Sequence, residues 1–297
     1  MSVPAAYIGI ILIWSTTPLA IQWSSNEVGF LFGITSRMTL GILGGLLVAG
    51  LFNIRLPWHT AARRTYLAAG LGLVLAMTSV YWSAQFIPSG WVSVLFGLAP
   101  IITGAMASFW LAEQALTPAR VTGMLLGLAG LAIMLLGSQQ LGQRAVYGIA
   151  GMVFSVTAYS ASAIAVKRIA ADIPALATTI GALAVTVPLL LLVCILTGEP
   201  LPARVPARAA ISIIYLGLVG SVLGFAMYYY VLSHVAATRV ALITLITPIT
   251  ALLLGHVLNG EALQAEALAG SATILSGLLL FEYGQQAGRW VRDTMIG

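Results

Sequence analysis

The sequence predicts an all-α integral membrane protein with ten transmembrane helices arranged as two inverted five-helix repeats. Three observations predict it. First, 60% of the 297 residues are hydrophobic and only 7% are charged, against about 25% charged in soluble domains. A core kept away from water cannot absorb that much apolar surface, so lipid is the expected solvent. Second, ten apolar stretches reach about the 20 residues that span a bilayer. Third, one stretch occurs twice. Sliding Tyr81–Leu131 by 148 residues onto Tyr229–Leu279 places Pro100 on Pro248, Ile101 on Ile249, Glu113 on Glu261 and Tyr81 on Tyr229. Each copy is an apolar span with a mid-span proline, a Glu at its exit, a short polar gap and a Gly/Ser-rich span. Such self-similarity fixes architecture before any single element does.

The elements follow in order. Residues 4–22 open the chain without a charged leader or a clear cleavage site, and are expected to be a retained first span rather than a signal peptide. Span two covers 29–52. The polar segment from Asn53 to Thr65 holds Pro, Arg and His and reads as a surface loop. Spans three to seven are expected at 66–87, 90–111, 119–137, 146–168 and 174–197. A second loop runs from Gly198 to Arg208, followed by spans at 209–233, 236–258 and 267–284. A short polar tail with Trp290 suits an interfacial anchor. Residues 1–142 form the first repeat and 143–297 the second, with the tail.

Orientation follows from Lys and Arg. With the N-terminus in the cytoplasm, Arg55, Arg63, Arg64, Arg120, Lys167, Arg168, Arg239, Arg289 and Arg292 lie on the cytoplasmic side, and Arg144, Arg204 and Arg208 outside. Nine against three favours both termini inside. Five spans separate matching helices, an odd number, so the halves must cross in opposite senses. That is the plan of many secondary transporters, with a site near mid-membrane between the halves. The net charge of +5 belongs to this bias; the cations never cluster, so nucleic acid is not an expected partner. The single Cys194 excludes an internal disulfide and a Cys-based metal cluster.

Pro100 with the segment LAEQAL at 111–116, and Pro248 with NGEAL at 259–263, each before a Gly/Ser-rich span, resemble the drug/metabolite transporter superfamily. The branch is the ten-helix EamA-type permeases, and the resemblance covers about residues 4–284. Within that group the chain looks most like bacterial inner-membrane exporters of aromatic amino acids. The resemblance implies export by alternating access through a central cavity between two five-helix halves, with no cofactor. Drug or other-metabolite efflux, or uptake, by the same fold is the alternative it leaves open. A monomer is expected.

Candidate cavity residues come from rings, prolines and small polar groups. Tyr81 and Trp82 lie late in span three, and Tyr228 and Tyr229 at the matching place in span eight; Trp14 and Tyr159 sit in spans one and six. A Tyr or Trp offers a flat apolar face with a polar tip, which suits an aromatic or zwitterionic solute; an interfacial belt or helix packing would use the same residues. Pro100 and Pro248, with Gly97, Thr244 and Thr247 nearby, are expected to kink their spans and act as hinges. Ser15 and Ser155 offer hydrogen bonds, although such hydroxyls often bond their own helix. Gln85 and His234 occupy near-equivalent gate positions, and His256 reads as a packing residue. Glu113 and Glu261 are expected to fix the turn into the helix that follows each. No Asp or Glu occupies the centre of a span, which argues against a carboxylate proton relay. Arg37 is the one cation within apolar sequence. It must face protein or water, snorkel to a surface, or hold a substrate carboxylate.

Other classes fit less well. The sequence has no HExxH, GxSxG, paired intramembrane acids or His cluster, so an intramembrane hydrolase lacks its machinery. No P-loop motif supports ATP hydrolysis, and no ring of like charges marks a channel filter.

Overall fold

A backbone in lipid must satisfy its own N–H and C=O groups, which leaves helices as the economical solution for apolar spans. The computed structural model describes residues 2–26, 28–111, 117–137, 142–241, 243 and 247–296, and among them finds helices and no strand. Helix α1 is Val3–Ser25, α2 Phe30–Leu51, α3 Thr60–Ser83, α4 Ser89–Phe96, α5 Ala99–Trp110 and α6 Pro118–Gly137. The second half gives α7 Ala145–Ile169, α8 Ala175–Thr197, α9 Ala207–Tyr215, a π-helical segment Leu216–Leu223, α10 Gly224–His234, α11 Ala237–Ala241, α12 Thr247–Asn259 and α13 Ala265–Ile296.

Among the described residues, seven helical stretches are long and apolar enough to cross a membrane, counting α4–α5 and Ala207–His234 each as one; Pro118–Met134, Thr247–Asn259 and Ala265–Phe281 are shorter apolar helices. The outside of the bundle is apolar too: Leu47, Phe109, Leu125 and Ile195 are all exposed. Apolar residues on every face mark helices solvated by lipid on one side and protein on the other.

The helix breaks fall where the prolines stand. Pro100 is the second residue of α5 and Pro248 the second of α12. Without an N–H, Pro100 cannot return a bond to Phe96 four residues earlier, and α4 ends at Phe96. Pro18 and Pro188, by contrast, sit inside continuous α1 and α8. Helix α3 starts six residues earlier than the apolar pattern suggests. His59 caps it, its Nδ1 accepting from the Ala62 N–H at 3.4 Å, so the basic first turn with Arg63 and Arg64 is already helical.

The halves pack on each other by a rule. Helix α2 packs on α8, and α6 on α13. Helix α3 packs on α7 as α1 packs on α9 and α10, and α3 on α8 as α2 packs on the π-helical segment. Helix α4 packs on α12 as α11 packs on α5, and α5 on α7 as α12 packs on α1. Exchanging the repeats maps every one of these pairs onto itself or onto another. The α6–α13 pair shows the rule at atomic scale. A Cβ on Gly123 would stand 2.5 Å from the Gly277 carbonyl oxygen, one on Gly277 2.6 Å from that of Gly123, and Gly130 and Gly270 repeat the exchange at 2.7 and 2.8 Å. Backbones approach this closely only when neither partner carries a side chain. The Gly123 face is thus used within the chain.

Candidate functional site

A cavity lies between the halves, lined by Trp14, Thr17, Pro18 and Ile21 of α1, Arg37 of α2, Met77 and Val80 of α3, and Val92, Ser93 and Phe96 of α4. The second half contributes Tyr159, Phe225 and Thr247. Its volume is about 60 Å³, room for a few waters and not for an amino acid. One wall is a cluster of rings. Tyr159 stands 6.1 Å from Trp14 (T-shaped), 5.9 Å from Phe96 (T-shaped) and 5.4 Å from Tyr228, centroid to centroid. Tyr228 is also 5.6 Å from Trp14 and 5.1 Å from Tyr229. Edge and tilted contacts at these distances are the favoured ones for aromatic pairs, so the wall is a packed surface contributed by both repeats.

Among the described residues Arg37 is the one charged group in that lining, and it is 2% exposed. It is the eighth residue of α2, roughly 10 Å from the helix end at 1.5 Å per residue, and it turns inward instead of snorkelling. Its Nε donates to Ser221 Oγ at 3.1 Å, and its guanidinium carbon lies 5.9 Å from the Tyr81 ring centre and 6.0 Å from that of Phe225. Nη1 is buried with no hydrogen-bond partner. The π-helical turn explains the reach: Ser221 Oγ donates to the Leu216 carbonyl five residues back at 2.9 Å, which holds its lone pairs toward Arg37. Helix α2 comes close there because Gly41 and Gly217 face each other, a Cβ on Gly41 falling 3.3 Å from the Gly217 carbonyl oxygen. π-turns inside helices often sit at functional positions.

Glu261 is the opposite case. Its Oε1 accepts from the Ser89 N–H at 3.1 Å, from Ser89 Oγ at 2.6 Å and from Asn259 Nδ2 at 3.0 Å, and its Oε2 from the Gly90 N–H at 3.2 Å. Asn259 extends the cluster, donating to Gln22 Oε1 and accepting from Trp23 Nε1, each at 2.9 Å. The sequence placed Glu261 at the N-terminus of the next helix. It instead caps α4, in the other repeat, because the end of α12 packs beside the start of α4 and offers it unpaired N–H groups. Its repeat mate Glu113 lies outside the described residues. His256 Nδ1 lies 2.9 Å from the Glu261 carbonyl oxygen, and His234 Nδ1 2.7 Å from that of Tyr230; both close helix ends at exposed positions.

Of the residues singled out from sequence, Trp14, Tyr159 and Tyr228 meet in the ring cluster, and the first two line the cavity. Tyr81 is fully buried behind Arg37, its hydroxyl accepting from Ser24 Oγ at 3.4 Å. Tyr229 is buried beside Tyr228 and lines a second hollow with Lys167 and Asp172. Pro100 and Pro248 are buried at the helix breaks. Ser15 bonds the Ile11 carbonyl at 2.7 Å and accepts from Thr250 Oγ1 at 2.7 Å; Ser155 bonds the Ala76 carbonyl at 2.8 Å. Both hydroxyls join helices. Trp82 is 36% exposed and packs on Phe86, and Gln85 is exposed with its Nε2 on the Trp82 carbonyl. Both stand away from the cavity: Trp82 lies on α3, 100° round from the buried Tyr81, and Gln85 follows the end of α3 at Ser83, in the turn that leads to Pro88. Thr244 lies outside the described residues. Thr17, Phe96 and Phe225 were passed over in the sequence; their signal is only helical spacing from Trp14 and from the breaks.

The model of the EamA-like transporter family matches residues 4–136 and again 146–283. A probable terminal-alkyne amino-acid exporter of Streptantibioticus cattleyicolor is 26% identical over 280 residues, 90% of this chain and 92% of that protein. A probable amino-acid metabolite efflux pump of Salmonella typhimurium is 33% identical over 82 residues, 28% of this chain and 27% of that one. A solved crystal structure superposes with a TM-score of 0.70, covering 95% of this chain and 98% of the other at 21% identity, a likeness of fold.

Proposed function

Because the chain belongs to the EamA-like transporter family, we propose that this multi-pass membrane transporter exports small amphipathic metabolites, aromatic amino acids foremost, from a bacterial cytoplasm across the inner membrane. Ten crossings in two inverted halves, with both termini cytoplasmic, carry out alternating access. The observation that carries the substrate choice is the ring wall of Trp14, Phe96, Tyr159 and Tyr228 around a cavity lined from both repeats. Flat rings stack on flat solutes, and a zwitterion's charged end needs polar partners. The relatives named as exporters of amino acids support the solute class.

The exchangeable packing of the repeats supports the inverted plan. A pseudo-two-fold that relates helices five crossings apart must lie in the membrane plane, since those helices run opposite ways. The mechanism uses the broken helices. At about 60 Å³ the cavity is contracted, so admitting a solute from the cytoplasm requires α5 to part from α11, whose Arg239 lies on that side. Release on the outer face parts α4 from α12, where Glu261 holds them. The break after Phe96 lets α4 and α5 move without dragging one another.

Whole-cell accumulation of labelled tryptophan, with lysine as control, tests the reading. Cells producing the protein should retain less tryptophan and the same lysine. Equal retention of tryptophan with and without the protein removes the substrate choice.

A further inference from the structure

The structure assigns Arg37 as the anchor for a carboxylate: the substrate enters as an organic acid or zwitterion whose carboxylate supplies the counter-ion that the empty cavity lacks. This deepens the proposed function and rests on the cavity being the transport site.

The argument starts from cost. An uncompensated guanidinium is expensive in the apolar interior of a membrane protein, and such residues are kept for a ligand or a partner charge. Arg37 is 98% buried by its 2% exposure, and among the described residues its only hydrogen bond is to the neutral Ser221 hydroxyl. The ring faces of Tyr81 and Phe225, near 6 Å, attract a cation without neutralising it. Among the described residues no carboxylate pairs with it. The sequence sharpens this: of its eight acids, Glu27, Glu113, Asp172, Glu199, Glu261, Glu266, Glu282 and Asp293, none falls at the centre of an expected span. Glu261, at the seam between the repeats, is saturated by its own donors.

Geometry then selects the ligand. Nε is fixed on Ser221, which sets the plane of the fork, and the buried Nη1 is left for an acceptor. A planar fork matches a carboxylate through two parallel N–H···O bonds, where a spherical ion meets only one edge. Arg37 and the Trp14–Tyr159 rings line one cavity, so a carboxylate on Arg37 directs the rest of the solute onto the ring wall. Among the described residues no acid lines that cavity to hold an ammonium group. The carboxylate is therefore required and the amine dispensable.

The test uses the purified full-length transporter and two readouts, ligand-induced thermal stabilisation and competition for labelled tryptophan. The probes are tryptophan, indole-3-propionate, tryptamine, tryptophanamide, leucine, 4-methylpentanoate and chloride. Tryptophan and indole-3-propionate should both stabilise and compete, and tryptamine and the amide should not. Arg37→Met should keep or raise the melting temperature of the ligand-free protein, since it removes an unpaired buried charge, and should weaken every carboxylate by about tenfold or more, the loss of one strong charged contact. Arg37→Lys should retain part of the binding. Tryptamine or the amide binding as well as the acid overturns the assignment. So do carboxylate binding that survives Arg37→Met, an Arg37→Met protein of lowered stability that Arg37→Lys restores, chloride acting as strongly as the acids, and a panel in which no carboxylate binds. Leucine and 4-methylpentanoate binding through Arg37 while tryptophan does not would keep Arg37 and discard the aromatic reading.

Discussion

Two charged side chains face the seam between the repeats, and they are treated in opposite ways. Glu261 takes four hydrogen bonds from Ser89, Gly90 and Asn259 and ties the end of α12 to the start of α4. Arg37 takes one partner, Ser221, and leaves a buried nitrogen without any. A saturated charge holds helices together; it has nothing left to offer a ligand. An unsaturated one contributes little to packing and is poised for something that arrives. The hydrogen-bond account of each side chain thus tells a fastening from a receptor.

The contrast is breakable. The largest effect on architecture should come from Glu261→Gln, because its amide NH₂ must face N–H donors that a carboxylate accepts. The closed arrangement should lose about 2–4 kcal/mol, read as a lower melting temperature and as faster labelling of a cysteine at Thr17 by a membrane-impermeant thiol reagent in a Cys194→Ser background. Labelling at the wild-type rate would deny Glu261 its fastening role. Next come the rings. Tyr159→Ala removes the member that touches Trp14, Phe96 and Tyr228, and should weaken tryptophan binding by about ten- to thirtyfold while leaving a small aliphatic acid less affected. Ser221→Ala should cost less, about three- to tenfold in affinity, since it frees Arg37 to lean without removing the charge. An unchanged affinity would mean that the π-helical turn does not position the guanidinium. Smallest of all, Trp82→Ala and Gln85→Ala should leave transport within about twofold of wild type, because both stand outside the cavity.

How much of this was written in the sequence depends on range. The apolar spans, the breaks at Pro100 and Pro248, and the doubled frame rest on local composition and on self-similarity, and the helices follow them closely. The inward turn of Trp14, Tyr159 and Tyr228 was legible because the repeat pairs their positions. Trp82 and Gln85 were not: Trp82 stands one residue, 100° of helix, past the buried Tyr81, and Gln85 lies beyond a helix that stops at Ser83 rather than four residues later. The partner of Glu261 lies 172 residues away in Ser89, and no local pattern announces it. The π-helical turn is equally silent, for Leu216–Leu223 reads as ordinary apolar helix. Arg37 stood out as a cation in an apolar run, but its isolation is a property of the fold, visible only once Ser221 and the two rings are in place around it.

The proposed transport is tested most directly by counterflow in liposomes loaded with unlabelled tryptophan, with a panel of labelled amino acids outside, run with and without a pH gradient. The account predicts transient uptake of labelled tryptophan and phenylalanine above the equilibrium level, with lysine at background. Lysine exchanging as fast as tryptophan, or liposomes that pass no aromatic amino acid in either direction, would contradict it.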